Sequence, residues 1–179
     1  MKKKILIITT SLRNGSNTDI LAKEFMRGAE EKGHSTEIIS LKNKKIGFCK
    51  ACYYCQKEHK CIQNDSVNEI LEKMLHSDVI VFATPVYFYE MSGILKTLLD
   101  RTMPIYFENC RFREVYVISA STDSDNHSAD RLISGIKGWI ECFPNVKLCG
   151  TICGAGAGKP ESVKNHSAFS QAYYMGKEV

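Results

Sequence analysis

The sequence predicts an α/β protein with a doubly wound, five-stranded parallel sheet and helices on both of its faces. Short apolar runs alternate along the chain with amphipathic helical segments, which is the pattern of successive βα units. The apolar runs are continuous, as expected of parallel strands that are covered on both faces. The length of 179 residues and the hydrophobic fraction of 44% suit one domain of this class with its own core. We therefore expect a single domain over residues 1–179.

Composition and charge exclude several classes of function. A formal net charge of +4 is too small to indicate nucleic-acid binding, and no apolar run is long enough to cross a bilayer. The apolar run Ile5–Ile8 leads directly into polar Thr9 and Thr10, which favours a first strand over a signal peptide. We therefore expect a cytoplasmic protein without nucleic-acid or membrane partners. In that compartment, eight cysteines indicate metal or redox chemistry rather than disulfides.

The first two βα units have clear start and stop signals. A strand is predicted at Lys3–Thr9, a helix at Asn17–Lys32 that Gly33 ends, and a second strand at Ser35–Ser40. Residues 41–65 follow, with no clear hydrophobic period. A loop of this length inside a compact domain usually has a function.

The rest of the chain repeats the alternation of helix and strand. Ser66–Ser77 is predicted to be a helix with Ser66 as its N-cap and Glu69 completing a capping box, and Ser92 is predicted to cap the helix that follows the third strand. The remaining elements are a strand at Asp78–Thr84, a helix from Ser92 to about Met103, a strand at Glu114–Ala120, a helix at Ala129–Phe143, a strand at Lys147–Cys153 and a last helix at Asn165–Val179.

The number of strands predicts where a ligand binds. Five parallel strands at this length fit the order 2-1-3-4-5, in which ligands lie at the carboxyl ends of the strands, at the switch point between strands one and three. The loops that meet there are 11–18, 85–89 and 121–128. The glycine-rich segment Gly154–Pro160 has the wrong spacing for a Walker A nucleotide loop, so a flexible loop is predicted there.

The loop after the first strand has the composition of an anion site. A strand, a loop with hydroxyls and glycine, and a helix N-terminus bring free backbone N–H groups and the positive end of the helix dipole to one place. Gly15 allows a tight turn, and the side chains that add donors or charge are Ser11, Arg13, Ser16, Asn17 and Thr18. We interpret the loop as the cradle of a phosphate monoester, with an ordinary βα loop capped by Ser or Asn as the alternative.

Three motifs together resemble the NAD(P)H-dependent FMN reductase-like flavoproteins, which have a flavodoxin-like fold. Residues 11–18 resemble the FMN-phosphate loop of that group, and Thr84–Phe88 with the following Gly93–Arg101 resembles its flavin-ring loop and helix. The spacing Cys49-x2-Cys52-x2-Cys55-x5-Cys61 resembles the compact cysteine motif of the iron–sulfur flavoproteins within the group. The joint occurrence of the three motifs is specific, whereas each motif alone is not.

The resemblance implies a cofactor site and an activity. FMN would be held at its phosphate by Ser11, Arg13, Ser16, Asn17 and Thr18, along its isoalloxazine ring by Pro85, Val86, Tyr87 and Phe88, and on the other side by Ser121 and Thr122. NAD(P)H would be the reductant, and the acceptor would be a quinone, a flavin, a similar small molecule or a redox protein. Because the flavin carries the redox chemistry, no side chain is assigned as an acid or base. The resemblance also suggests a homodimer or a larger homo-oligomer.

The cysteine motif leaves three interpretations open. Soft thiolates at Cys49, Cys52, Cys55 and Cys61 can surround a [4Fe–4S] cluster, bind structural zinc, or bind no metal. A cluster would make the protein an electron carrier that accepts single electrons from a ferredoxin-like donor. The other cysteines have no ligand spacing and are predicted to be small buried hydrophobes, namely Cys110, Cys142, Cys149 and Cys153.

Overall fold

The computed structural model of the protein describes residues 1–179 and is built on one six-stranded sheet. The strands are β1 (Lys4–Thr9), β2 (Ser35–Ser40), β3 (Val79–Tyr87), β4 (Glu90–Met91), β5 (Glu114–Ala120) and β6 (Lys147–Gly154). Five of them are parallel in the order β2-β1-β3-β5-β6, and β4 pairs antiparallel with the end of β3. The predicted order 2-1-3-4-5 is therefore confirmed, with β5 and β6 as its fourth and fifth strands. The short strand β4 has no counterpart in the sequence prediction.

Seven α-helices and one 3₁₀ turn connect the strands. They are α1 (Asn17–Glu31), α2 (Tyr54–Glu58), α3 (Val67–Leu75), α4 (Gly93–Asp100), α5 (Met103–Tyr106), α6 (Asp130–Ile140), the 3₁₀ turn Ser162–Asn165 and α7 (Ser167–Lys177). The longer helices cover both faces of the sheet, as predicted. None of the helices is long and apolar enough to cross a membrane.

The alternation of side chains along β1 builds a core on each face of the sheet. Leu6 and Ile8 pack in one cluster with buried side chains of α3, α4 and α6, whereas Ile5 and Ile7 pack in the other with buried side chains of α1 and α7. All four are at most 1% exposed. A strand that supplies both cores has to be apolar at each of these positions, which explains the continuous run in the sequence.

The region around residues 41–65 differs from the prediction in two ways. It contains the short helix α2. In addition, Asp65 rather than the predicted Ser66 caps the following helix α3. Ser66 has helical dihedral angles, so its side chain makes no capping bond. The backbone N–H of Val67 donates instead to Asp65 Oδ1 at 3.1 Å.

Helix α4 differs from the prediction at both ends. Ser92 does not cap it, because the Ser92 hydroxyl is bonded to the hydroxyls of Thr10 at 2.8 Å and Thr84 at 3.1 Å. These three buried hydroxyls join the ends of β1 and β3. The helix also ends earlier than predicted, since Pro104 has no N–H to donate to the carbonyl of Asp100.

Only one of the four cysteines predicted to be buried hydrophobes is fully buried. Cys110 is buried, and burial raises the pKa of its thiol to about 11. Cys142 follows the last turn of α6 and Cys149 lies on the edge strand β6; both are exposed, and Cys153 is half-buried. The prediction is wrong for Cys142 and Cys149, because local composition does not reveal that one follows the end of a helix and the other lies on an edge strand.

Helices α1 and α7 pack in backbone contact. A Cβ atom placed on Gly28 would lie 2.0 Å from the carbonyl oxygen of Tyr173, and one placed on Gly176 would lie 2.0 Å from the carbonyl oxygen of Phe25. No side chain larger than hydrogen fits at such distances. The two glycines therefore set the separation of the helices.

Gly28→Ala is expected to destabilise the fold. The added methyl group has to push α7 away from α1, which should lower the free energy of unfolding by about 1–3 kcal/mol, the usual cost of overpacking. Gly138→Ala is the matched control, because Gly138 is an exposed glycine of α6 with open space around its Cβ position, and alanine there should stabilise by up to about 1 kcal/mol. Urea-induced unfolding measures both changes, and equal stability of the two variants would contradict the packing argument.

Candidate functional site

The β1–α1 loop, residues 10–16, leads into a row of backbone N–H groups without partners. None of the N–H groups of residues 14–18 donates a hydrogen bond within the protein. Gly15 has a φ of +63°, a conformation that favours glycine. Ser16, Asn17 and Thr18 at the start of α1 are buried. Free donors at a helix N-terminus, with the positive end of the helix dipole behind them, form an anion site.

Polar side chains surround these N–H groups. The hydroxyls of Ser16 and Thr18 are hydrogen-bonded to each other at 2.8 Å. Ser16 also acts as the N-cap of α1, because its hydroxyl accepts from the N–H of Asp19 at 3.4 Å. Arg13 donates one N–H to the carbonyl of Gly158 at 3.0 Å. The residues of the predicted cradle therefore lie in the same loop as an ordinary N-cap, and Ser16 belongs to both.

Asn17 is used differently from the other residues of the loop. Its side-chain N–H groups donate to the carbonyl oxygens of Ala157 at 2.5 Å and Lys159 at 2.8 Å, and its side-chain oxygen accepts from the N–H of Val163 at 3.2 Å. These bonds hold the β6–α7 loop, which contains the segment Gly154–Pro160 that the sequence predicts to be flexible. The side chain of Asn17 therefore holds the β6–α7 loop in place beside the site. Its backbone N–H remains free to donate to a ligand.

The β3–β4 hairpin contributes the next part of the site. Its turn residues Phe88 and Tyr89 have φ values of +50° and +66°, the left-handed region that two-residue hairpin turns require and that usually selects Asn-Gly. The Tyr89 hydroxyl donates to Asp123 Oδ2 at 3.0 Å, and the Tyr89 carbonyl accepts from the N–H of Leu132 at 3.2 Å. The hairpin is thereby held on two sides, while Phe88 is 97% exposed.

The carboxyl ends of β1, β3, β5 and β6 surround one cavity of about 70 Å³. Phe88 is not among its lining residues. It lines an adjoining open cavity of about 230 Å³ with Tyr89 and Asp123. The parallel sheet thus gathers loops that are distant in the sequence. Ten of the eleven cofactor-binding residues predicted from the sequence line the first cavity, namely Ser11, Arg13, Ser16, Asn17, Thr18, Pro85, Val86, Tyr87, Ser121 and Thr122.

Three further lining residues are absent from the prediction: Ala120, Ala157 and Gly158. The last two belong to the β6–α7 loop, and its glycine-rich composition at the carboxyl end of a strand is the signal that could have identified them. No carboxylate or imidazole lines the cavity. Its polarity comes from hydroxyl groups, amides and one guanidinium, so the cavity suits a ligand that carries negative charge.

The four cysteines of the motif line a second cavity, of about 240 Å³. Residues 48–64, which we call the cysteine segment, carry them. Cys49 and Cys52 are exposed, and Cys55 and Cys61 are half-buried. Burial raises the pKa of the Cys55 thiol, and the neighbouring thiols raise it further. No group of three or more Cys, His, Asp or Glu side chains is close enough together to hold a metal ion.

A buried ion pair closes the cysteine segment. Arg101 donates to Asp65 Oδ2 at 2.9 Å and Oδ1 at 3.1 Å, and also to the carbonyl of Gly47 at 2.8 Å. The Arg101 side chain is 1% exposed and that of Asp65 13%. Burial alone would raise the pKa of Asp65, but hydrogen bonds from Arg101 and from the N–H groups of Gly47 and Val67 lower it below its ordinary value. The sequence does not reveal this pair, because only the fold brings the two residues together.

Replacing Asn17 by alanine is expected to release the β6–α7 loop. The variant loses four hydrogen bonds that hold the loop, so the backbone N–H groups of residues 154–163 should exchange with solvent at least about tenfold faster. Asn14→Ala is the control, since Asn14 lies in the same loop, is exposed and bonds to Lys42 rather than to the wall. Hydrogen–deuterium exchange followed by mass spectrometry makes the comparison, and unchanged exchange in Asn17→Ala would contradict the role given to this side chain.

Several known proteins are similar in sequence to this chain. Residues 3–136 match the family model described as NADPH-dependent FMN reductase. An iron–sulfur flavoprotein of Methanocaldococcus jannaschii is 41% identical over 102 residues, which cover 57% of this chain and 53% of that protein. The match therefore spans about half the length of that relative. An iron–sulfur flavoprotein of Methanosarcina thermophila is 30% identical over 138 residues, which cover 76% of this chain and 72% of that protein.

A solved structure shares the fold along almost the whole chain. The NAD(P)H:quinone oxidoreductase from Methanothermobacter marburgensis superposes with a TM-score of 0.79 at 16% identity, covering 99% of this chain and 96% of that one. At this identity the likeness shows the fold alone, and it confirms the predicted flavodoxin-like fold. The family match confirms the predicted family of flavin oxidoreductases, whose description contains the predicted cofactors FMN and NADPH. The chain belongs to the NADPH-dependent FMN reductase family.

Proposed function

We propose that the protein binds FMN in the cavity at the carboxyl ends of its strands and passes reducing equivalents from NAD(P)H to a quinone, a flavin or a similar small molecule. The observation that supports this function most is the convergence of the free N–H groups of residues 14–18 and ten predicted residues on one cavity. The name of the similar solved structure, NAD(P)H:quinone oxidoreductase, supports a small-molecule acceptor. The proposal includes a homodimer or larger homo-oligomer in the cytoplasm.

The β1–α1 loop suits the phosphate of FMN in charge and in hydrogen bonding. Arg13 adds a full positive charge, and one of its N–H groups is used by Gly158, which leaves other donors of the guanidinium for the phosphate. In the bonded pair of Ser16 and Thr18, one hydroxyl donates to the other, so one hydroxyl hydrogen remains for an anion. No carboxylate lines the cavity, which favours an anionic ligand there.

The hairpin and the β5–α6 loop suit the flavin ring. Val86, Ser121 and Thr122 line both the main cavity and the adjoining open cavity, so a small molecule in the second space lies beside a ring in the first. Bound FMN accepts a hydride and releases electrons one or two at a time. The side chains bind and orient the cofactor, because none of them is a carboxylate or imidazole that could move a proton at neutral pH.

The double variant Arg13→Ala/Thr18→Ala is expected to lose affinity for FMN. Each donor removed from a charged phosphate contributes about 1.5–3 kcal/mol, so the Kd for FMN should rise at least about 100-fold without loss of the fold. Quenching of FMN fluorescence on binding measures the Kd, and circular dichroism checks the fold.

Thr36→Ala/Arg111→Ala is the matched control for this experiment. It removes the same two residue types from outside the cavity, where Thr36 bonds to Glu30 and Arg111 to Asp78. The control should bind FMN like the wild type. Equal affinity of the two double variants would overturn the assignment of the phosphate cradle.

A second candidate function is electron transfer through an iron–sulfur cluster, with a ferredoxin-like redox protein as the donor. The observation that favours it is that the four cysteines of the motif line one cavity, and both relatives described above are named iron–sulfur flavoproteins. Four sulfur ligands are the number and kind that a [4Fe–4S] cluster takes. The residues therefore match this group in donor type and number, but no three of them stand close enough together in this structure to hold a metal ion. Such a cluster would exchange single electrons when bound.

Protein purified without oxygen is expected, on this second function, to contain about four iron atoms and four acid-labile sulfides per chain in addition to flavin absorption. Cys61→Ser should lose most of the iron, because one ligand is gone. Cys149→Ser should retain it, since Cys149 is an exposed cysteine outside the motif. Flavin without iron in the wild-type protein would exclude the cluster and leave the NAD(P)H oxidoreductase as the function.

A further inference from the structure

The two adjoining cavities at the carboxyl ends of the strands carry opposite charges. Arg13 is the one charged residue that lines the main cavity, whereas Asp123 is the one charged residue that lines the adjoining open cavity. Val86, Ser121 and Thr122 line both spaces. A molecule in the open cavity therefore meets a carboxylate, although the neighbouring cavity suits an anion.

Asp123 is exposed but held in one position by four hydrogen bonds. Its Oδ2 accepts from the Tyr89 hydroxyl and its Oδ1 from the N–H of Asp125, both at 3.0 Å. Its backbone N–H donates to the Ser121 hydroxyl at 3.1 Å, and its carbonyl accepts from the N–H of Gly156 at 2.8 Å. These bonds tie Asp123 to the β3–β4 hairpin and the β6–α7 loop, so the charge loses little side-chain freedom when a ligand arrives.

The charge of Asp123 is not neutralised by a cation. The nearby carboxylate of Asp130 is paired with His127 at 2.9 Å, whereas both oxygens of Asp123 accept from neutral donors. Hydrogen bonds from the N–H of Asp125 and from the Tyr89 hydroxyl lower the pKa of Asp123, so the group is ionised at neutral pH. Each oxygen keeps a lone pair for a further contact.

Aromatic rings supply the other part of the open cavity. Phe88 and Tyr89 line it, and both are exposed on a turn whose positive φ values are unfavourable for such residues. Aromatic rings pack well against planar ligands, and their faces attract cations. The rings and the carboxylate thus favour the same ligands: planar molecules without negative charge.

We propose that the open cavity is the site of the electron acceptor and that it selects planar aromatic molecules that are uncharged or cationic, because Asp123 repels anions. This inference rests on the proposed FMN function, which places the acceptor beside the flavin ring. It narrows the acceptor class to uncharged quinones and similar molecules, and it disfavours their sulfonated or phosphorylated counterparts.

Binding of two redox-inert probes to the FMN-loaded protein tests the selection without turnover. N-methylquinolinium is a planar cation, and naphthalene-2-sulfonate is an anion of similar size. At low ionic strength we expect the wild type to bind the cation about tenfold more tightly than the anion, as one charge at contact distance in a wet site predicts. NMR titration gives both Kd values.

Asp123→Asn should remove most of this preference, because the amide keeps the shape of the side chain without its charge. Glu72→Gln is the matched control: it loses the same charge from an exposed residue of α3 that is bonded to His76, and it should keep the preference. An equal preference in Asp123→Asn and the wild type would overturn the proposal.

Salt provides a second test on the unaltered protein. Because Asp123 is exposed, the preference for the cation should fall at least about threefold between 20 mM and about 500 mM NaCl, and a preference independent of salt would contradict an electrostatic origin.

Turnover is expected to follow binding. The kcat/KM for 1,4-naphthoquinone-2-sulfonate relative to that for 1,4-naphthoquinone should rise about 3- to 10-fold in Asp123→Asn, and an unchanged ratio would count against selection by this residue. Uptake of FMN is measured first. A wild type that binds FMN but does not distinguish the probes would overturn this inference and leave the FMN function standing, whereas a wild type that binds no FMN would overturn both.

Discussion

The burial of β1 and β3 on both faces is the constraint on which the rest of the structure depends. Because residues 5–9 of β1 and 79–84 of β3 are buried on both faces, the sheet carries a layer of helices on each side. After β1 the chain continues into α1 on one face of the sheet, and after β3 it continues into α4 on the other face. The loops that follow β1 and β3 therefore diverge and leave a crevice between them at the switch point. The buried hydroxyls of Thr10, Thr84 and Ser92 then tie the two sides of the crevice together.

Helix α4 joins the two candidate sites into one unit. Ser92, just before the helix, is bonded to the ends of β1 and β3 beside the first cavity, and Arg101, just after it, holds the ends of the cysteine segment. With eight residues and a rise of about 1.5 Å per residue, the helix that separates these two anchor points is about 12 Å long. Both proposed functions therefore use the same rigid spacer, and they differ in what the cysteine segment binds.

Local patterns in the sequence predicted the elements and most of the candidate site, because both follow from short-range rules. Continuous apolar runs identify buried strands, and parallel strands bring the loops at their carboxyl ends together whatever those loops contain. The failures lie where distant residues decide the outcome. Asp65 and Ser66 are equally suitable caps by composition, and Asp65, fixed by Arg101, takes the role. Asn17 is a residue type that can bind phosphate, but its side-chain amide donates instead to the β6–α7 loop, 140 residues away in the sequence.

The bonds between Asn17 and the β6–α7 loop have a consequence for the order in which the protein folds. They join positions 140 and 146 residues apart, and contacts of such separation form late, because the chain entropy between them has to be lost first. During synthesis the β1–α1 loop leaves the ribosome early. The cavity beside it is complete only after β6 has joined the edge of the sheet and the β6–α7 loop has formed. Closure of the cavity is therefore a late event of maturation, and a chain that stops after β5 has the loop without the enclosed space.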